Sequence, residues 1–228
     1  MNKRVIEIIE SSKSRGWILE PDAKEILKLH GISVPESRWI KKISGIKESA
    51  AGLKFPLAVK VVSAQALHKS EAGGVALGIK NTADLEEIFN KMSSIPGFEG
   101  VLAEEMASGA ELIFGAKDDP QFGTVVMAGI GGITVEVYRD VVFRLAPVTE
   151  KDALSAIESL KGIALLKGFR GTPPADLTKA AKLLSDFSVL AYEYRNYFES
   201  IDLNPVLCGS NSATAADARF ILSGKQTD

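Results

Sequence analysis

The stretch ELIFGAKDDPQFGTVVMAGI, residues 111–130, sets two apolar runs around a polar, turn-rich segment. Two short β-rich runs, Glu111 to Lys117 and Thr124 to Ile130, flank the segment Asp118-Asp119-Pro120-Gln121-Phe122-Gly123. Each residue type in that segment favours a turn for its own reason. Asp bonds to its own backbone, Pro presets φ, and Gly tolerates a positive φ. The pair therefore predicts antiparallel strands and an α+β architecture rather than a doubly wound parallel sheet.

Working outward, further β-rich runs bounded by Gly, Pro or Asp span Leu57 to Val62, Gly74 to Ile79, Val101 to Met106, Val141 to Leu145 and Ile201 to Leu207. Helical stretches fall at Thr82 to Ser94, Thr149 to Leu160 and Asp176 to Phe198. Thr149 with Asp152 three residues on approximates a capping box. Two amphipathic helices open the chain. The second is announced by Pro21 and closed by Gly31, with His30 read as its C-terminal cap. Helices and strands mix without regular alternation. Gly97 and Gly100 mark a connector, which gives an N-terminal helical extension over 1–20, a first lobe over 21–100 and a second over 101–228.

The 228 residues, 46% hydrophobic, suffice to bury a core without staples. With 27 basic and 29 acidic residues, and no dense cluster of Lys or Arg, nucleic acid is not an expected partner. The single cysteine, Cys208, excludes an intrachain disulfide and a thiolate metal set, which fits a reducing compartment; it is read as a small buried apolar residue. Met1 to Ser14 lacks a signal-peptide core and no run approaches about 20 apolar residues. The expectation is a soluble cytoplasmic protein with no membrane contact.

Four constellations carry chemistry. In Phe55 to Val62, strand geometry puts Lys60 on one face with Ala58 and Val62, and a lysine inside an apolar strand needs an anion; the alternative is an edge-strand lysine that discourages pairing. The loop that follows is polar, carries His68 and ends in Gly73-Gly74. Adjacent glycines let backbone N–H groups approach phosphate, or equally serve a hairpin turn. Next, Ala103-Glu104-Glu105-Met106 ends a strand and Glu111 opens another. Backbone groups there suit an adenine edge and a carboxylate suits ribose hydroxyls, against the alternative of a solvated acidic strand end. The same third constellation includes Gly129-Ile130-Gly131-Gly132-Ile133 and Arg144, a further glycine turn and a candidate phosphate ligand, or residues with conformational roles alone. Finally, Asp202 and Asn204 lie two apart on one strand face, and Asp217 with Arg219 repeats the spacing. Oxygen donors from neighbouring strands suit Mg²⁺, which takes one or two carboxylates plus phosphate oxygens and water, while an Asx turn before Pro205 is the alternative.

The lysine strand, glycine loop, acidic strand end and terminal Asn/Asp pair resemble the ATP-grasp fold, in which two α+β lobes hold a nucleotide between them. More narrowly, Leu67 to Val75, Asp119 to Gly123, Gly129 to Gly132, Phe143 to Pro147, Gly168 to Gly171 and Asp202 to Pro205 resemble the β subunit of ADP-forming acyl-CoA (acetyl-CoA) synthetases, from about Glu20 to Leu222.

That resemblance implies interconversion of acyl-CoA, ADP and phosphate with free acid, ATP and CoA through phosphohistidine, with His68 matching the family's β-subunit histidine. It implies ATP or ADP with Mg²⁺, Lys60, Gly73, Gly74, Glu104, Glu105, Met106, Glu111 and Arg144 at the nucleotide, and Asn204 and Asp217 at the metal. A CoA-binding α subunit in an α2β2 heterotetramer is the implied partner, acyl-CoA and phosphate being handled through it. Asp202 stands where many ATP-grasp enzymes have Glu, so the metal goes to Asn204 and Asp217. The polar segment Gly209 to Ala216 reads as a mobile hairpin. Two other classes fit the same motifs: an ATP-grasp carboxylate–amine ligase with no histidine carrier, and a non-catalytic nucleotide-sensing module.

Overall fold

The computed structural model describes residues 1–65, 69, 72–132, 140–168 and 173–224. His68, Ile133 and the Phe169 to Gly171 part of the quoted motifs lie outside them. The described chain forms two compact units, one of residues 1–34 with 108–228 and one of residues 35–107.

This division differs from the one expected at Gly100. Gly100 lies inside strand β5 (Phe98–Glu105), opposite Val62 of β3 (Leu57–Ser63), and a Cβ there would stand 2.4 Å from the Ile40 carbonyl. The glycine serves close strand approach rather than a connector. The expected N-terminal extension likewise belongs to the larger unit, where α1 (Lys3–Ser12), β1 (Trp17–Ile18) and α2 (Glu20–Leu29) join the C-terminal elements.

In the smaller unit, β2 (Ser37–Ile40), β5, β3 and β4 (Val75–Ile79) form an antiparallel sheet in that order. Val59, Val61, Val101 and Ala103 alternate onto one face and pack with Leu85, Phe89 and Met92 of α4 (Thr82–Met92), on whose N-terminus the Asn81 side chain accepts from Asp84 N. A 3₁₀ turn, Ile43–Gly45, runs into the short α3 (Ile46–Ala50).

The larger unit is built on β6 (Ala110–Asp119) and β7 (Gly123–Ile130), antiparallel from Leu112 opposite Ile130 to Asp119 opposite Gly123, as the opening stretch predicts. Asp119 Oδ1 accepts from Gln121 N at 2.8 Å and Phe122 N at 3.0 Å, and Gly123 sits at φ 78°, so the turn chemistry is the one the residues specify. β8 (Val141–Leu145) extends one side of the sheet. On the other, β9 (Phe198–Cys208) pairs with β6, then with β10 (Ala213–Ala215) and β11 (Arg219–Leu222), and β11 with β1. All these pairs are antiparallel, so the α+β reading holds.

Leu112, Phe114, Ala116, Val126, Ala128, Ile201 and Leu203 turn to one sheet face and form a core with Ala153 and Ile157 of α5 (Glu150–Glu158) and Leu184, Phe187 and Leu190 of α7 (Leu177–Glu193). Between those helices lies the one-turn α6 (Ile163–Leu166). Thr149 caps α5 as expected, accepting from Asp152 N at 3.2 Å and donating to Asp152 Oδ2 at 2.7 Å. α7 stops at Glu193, short of the expected Phe198, because Phe198 is buried as the first residue of β9. His30 caps α2 with Nδ1 2.9 Å from the Ile26 carbonyl, and Gly31 follows at φ 74°. Among the described residues no helix is long and apolar enough to cross a membrane.

Candidate functional site

The carboxylates and carboxamide of the last constellation are brought together by one register. Ala215 lies opposite Val206 and Arg219 opposite Asp202, and both pairs belong to the same alignment of antiparallel chains. Carried through the connector between β10 and β11, that alignment sets Asp217 level with Asn204, and Ala216 N bonds to the Pro205 carbonyl at 2.9 Å. Burial switches phase here on both chains. Ile201, Leu203, Val206 and Cys208 are buried, as are Ala213, Ala215, Ala218 and Phe220, which turns Asp202, Asn204 and Asp217 away from the helix-covered face. Of the segment read as a mobile hairpin, Gly209 to Ala216, residues Ala213–Ala215 form the returning strand β10, with Ala213 and Ala215 buried, after a turn in which Gly209 N donates to the Ser212 carbonyl at 2.9 Å.

Within this face, Arg219 Nη2 donates to Asp202 Oδ2 at 3.0 Å, while the Asp217 carboxylate accepts from Ala218 N at 2.8 Å. Asp202 thus has a cation directly opposite it. Asn204, exposed, and Asp217, half-buried, stand level with each other on this face.

Glu111, exposed at the start of β6, lies opposite Leu207 of the neighbouring β9. Gly131 N donates to its carbonyl at 2.7 Å, and a Cβ on Gly131 would stand 2.7 Å from the Glu111 Cβ. The second glycine turn therefore lets the chain cross closely over Glu111. Beyond Asp202 the same sheet holds a concavity of about 570 Å³ lined by Gly115, Lys117, Phe122, Met127, Phe143 and Asp202. Arg144 also borders it and donates to the Phe143 carbonyl at 2.9 Å.

In the smaller unit β3 is an interior strand, so the edge-strand reading of Lys60 falls. Lys60 Nζ is 2.9 Å from Glu104 Oε2, with side chains 9% and 2% exposed. Glu104 is therefore committed to Lys60 inside the sheet. Glu105 accepts from Lys54 N at 3.0 Å, β5 ends at Glu105, and Met106 follows it exposed. Gly73 and Gly74 each have a conformational reason. Gly73 sits at φ 67°, while a Cβ on Gly74 would stand 2.3 Å from Val61 Cγ1, and Gly74 N already donates to the Lys69 carbonyl at 2.7 Å.

A family model described as an ATP-grasp domain matches residues 10–222. The chain is 41% identical over 225 residues to the Pyrococcus furiosus acetate–CoA ligase (ADP-forming) I subunit beta, covering 95% of this chain and 97% of that one. The chain belongs to the β subunits of ADP-forming acyl-CoA synthetases.

Solved structures agree. A Candidatus Korarchaeum cryptofilum ACD1 structure in complex with coenzyme A superposes with a TM-score of 0.89 at 34% identity, covering 96% of this chain and all of that one. A second structure from that organism, described as a dinucleotide-forming acetyl-coenzyme A synthetase 1 with coenzyme A and Mg-AMPPCP and with its phosphohistidine segment pointing towards the nucleotide binding site, gives 0.83 at 32%, with coverage of 96% and 100%.

For an ATP-grasp β subunit the donor set at Asn204 and Asp217 fits a hard cation. It offers two oxygen donors on an outward face, with remaining positions for phosphate oxygens and water. What the sequence reading left out is the pairing of Glu104 with Lys60 and of Arg219 with Asp202. Both are cross-strand relations, visible only once the register is known.

Proposed function

We propose that this chain binds ADP or ATP with Mg²⁺ and passes the phosphoryl group through His68, as the nucleotide-handling subunit in the reaction acyl-CoA + ADP + phosphate = acid + ATP + CoA. It works in the cytoplasm with a CoA-binding α subunit in an α2β2 assembly. The observation that carries this reading is the Asp202–Arg219 and Asn204/Asp217 quartet on one sheet face of an ATP-grasp chain.

Lys60, paired with Glu104, is assigned to the phosphate oxygens. The backbone at Glu105 and Met106 serves the adenine, and Glu111 accepts from ribose hydroxyls. Gly73 and Gly74 shape the approach to the phosphates, and Arg144 contacts them. Arg219 neutralises Asp202, so Asn204 and Asp217 hold the metal. The bound Mg²⁺ supplies neutralisation of the charge that builds on phosphate oxygens during transfer.

Imidazole as a side chain ordinarily titrates near pH 6.5, which makes histidine suited to offer a neutral ring nitrogen at pH 7. In the ATP-consuming direction that nitrogen attacks the γ-phosphorus. A P–N bond forms, the bond to the bridging oxygen breaks, and ADP leaves with the electron pair. A covalent intermediate divides one difficult transfer into two.

The direct test is ATP formation from acetyl-CoA, ADP and phosphate by this chain alone and mixed with the CoA-binding subunit. Activity should require the mixture and fall by at least about 100-fold in Asp217→Asn, with the variant's fold intact by circular dichroism. Full activity from this chain alone overturns the division of labour, and unchanged Mg²⁺ dependence in Asp217→Asn removes Asp217 from the metal.

A further inference from the structure

α2 carries a buried ion pair apart from every residue assigned above. Lys24 Nζ is 2.9 Å from Glu20 Oε1, with side chains 2% and 4% exposed. Desolvating both charges cancels most of their attraction, so such a pair adds little stability over apolar side chains of similar volume. What it holds in place is more telling. Lys24 Nζ donates to the carbonyl of Ala216 at 2.7 Å, across 192 residues of sequence.

Ala216 directly precedes Asp217, in the connector between β10 and β11 where the strand ladder is interrupted. The same few residues are tied elsewhere: Ala215 N donates to the Ser33 carbonyl at 2.9 Å and Ala216 N to the Pro205 carbonyl at 2.9 Å. The bond from Lys24 fixes the peptide unit that joins Ala216 to Asp217. With Ala218 N holding Asp217 Oδ1 at 2.8 Å, both sides of the Asp217 Cα are oriented.

We propose that Glu20 and Lys24 are positioning residues for the metal site. Lys24 grips the Ala216 carbonyl and so keeps the Asp217 carboxylate level with Asn204, while Glu20 supplies the counter-charge that aims the ammonium. The proposal rests on the assignment of Asp217 to the metal. Neither residue touches nucleotide or metal. Their effect reaches the cation through one peptide plane, as outer-sphere partners commonly tune metal affinity.

The test uses the full chain with ADP, and Mn²⁺ in place of Mg²⁺ so that bound metal is read by electron paramagnetic resonance. The double variant Glu20→Leu/Lys24→Met removes both charges and leaves neither buried alone. Its Mn²⁺ affinity in the presence of ADP should fall about 10-fold, while ADP affinity without metal stays within about two-fold. Wild-type Mn²⁺ affinity in the double variant, with affinity lost in Asp217→Asn, overturns the positioning role and leaves the Asp217 assignment standing. Wild-type Mn²⁺ affinity in Asp217→Asn as well overturns the metal assignment and this proposal with it. A parallel fall of metal-dependent and metal-independent ADP binding makes the pair a support of the fold alone and overturns the proposal.

Discussion

Lys60 and Glu104 answer each other inside the smaller unit's sheet, 2.9 Å apart and both buried. Lys60→Met takes the cation from a buried carboxylate, and breaking such a pair costs about 3–5 kcal/mol. Adding Glu104→Leu should recover most of that stability in urea unfolding without recovering ADP affinity, because the phosphate contact assigned to Lys60 stays lost. Recovery of both places Lys60 in the fold alone. Cys208 is a simpler case: burial pushes its thiol from an ordinary 9.0 up to about 12. A neutral thiol favoured in the folded state contributes stability that is complete below its unfolded pKa and is lost as pH rises toward the folded value. Between about pH 9 and 11 the unfolding free energy should therefore fall more steeply than in Cys208→Ala, by up to about 1.4 kcal/mol per pH unit. Equal slopes in the two proteins contradict the burial.

Among the elements, the glycine turn before β4 shows most clearly how packing and site are joined. A Cβ on Gly74 meets Val61 Cγ1 at 2.3 Å and the Lys69 carbonyl at 3.0 Å, so Gly74→Ala should cost about 1–3 kcal/mol in thermal or urea unfolding. A variant as stable as wild type contradicts the close approach of the turn to β3. The hairpin of β6 and β7, the capped α5 and the two N-terminal helices are legible in the sequence because turn residues, caps and apolar spacing are local signals. The end of α7 is less so, since the apolar Phe198 fits a continuing helix as well as the strand it begins. Within the site, Asp202, Asn204 and Asp217 are legible as a spacing, but the opposition of Asp202 to Arg219 depends on strand register. Glu20 and Lys24 read locally as an ordinary i,i+4 pair on a helix surface; only the fold buries them against Ala216.

For the whole molecule, the division into residues 1–34 with 108–228 and residues 35–107 returns the N-terminus to the C-terminal sheet through β1 and β11, a long-range pairing that no local signal reports. The chain covers 97% of a relative that is itself named a subunit, and the proposed CoA chemistry belongs to a partner. Analytical ultracentrifugation of the chain mixed with the CoA-binding subunit should show a single species of α2β2 mass; separate sedimentation of the two contradicts the assembly. Whether His68 carries the phosphoryl group between partner and nucleotide is decided by labelling. Incubated with ATP labelled at the γ-phosphate and Mg²⁺, the chain should take up base-stable, acid-labile label at His68, and adding ADP should return that label to ATP. His68→Ala should bind ADP as the wild type does yet take up no label and make no ATP when mixed with the partner. Near wild-type ATP synthesis by His68→Ala in that mixture would show that His68 is not the carrier.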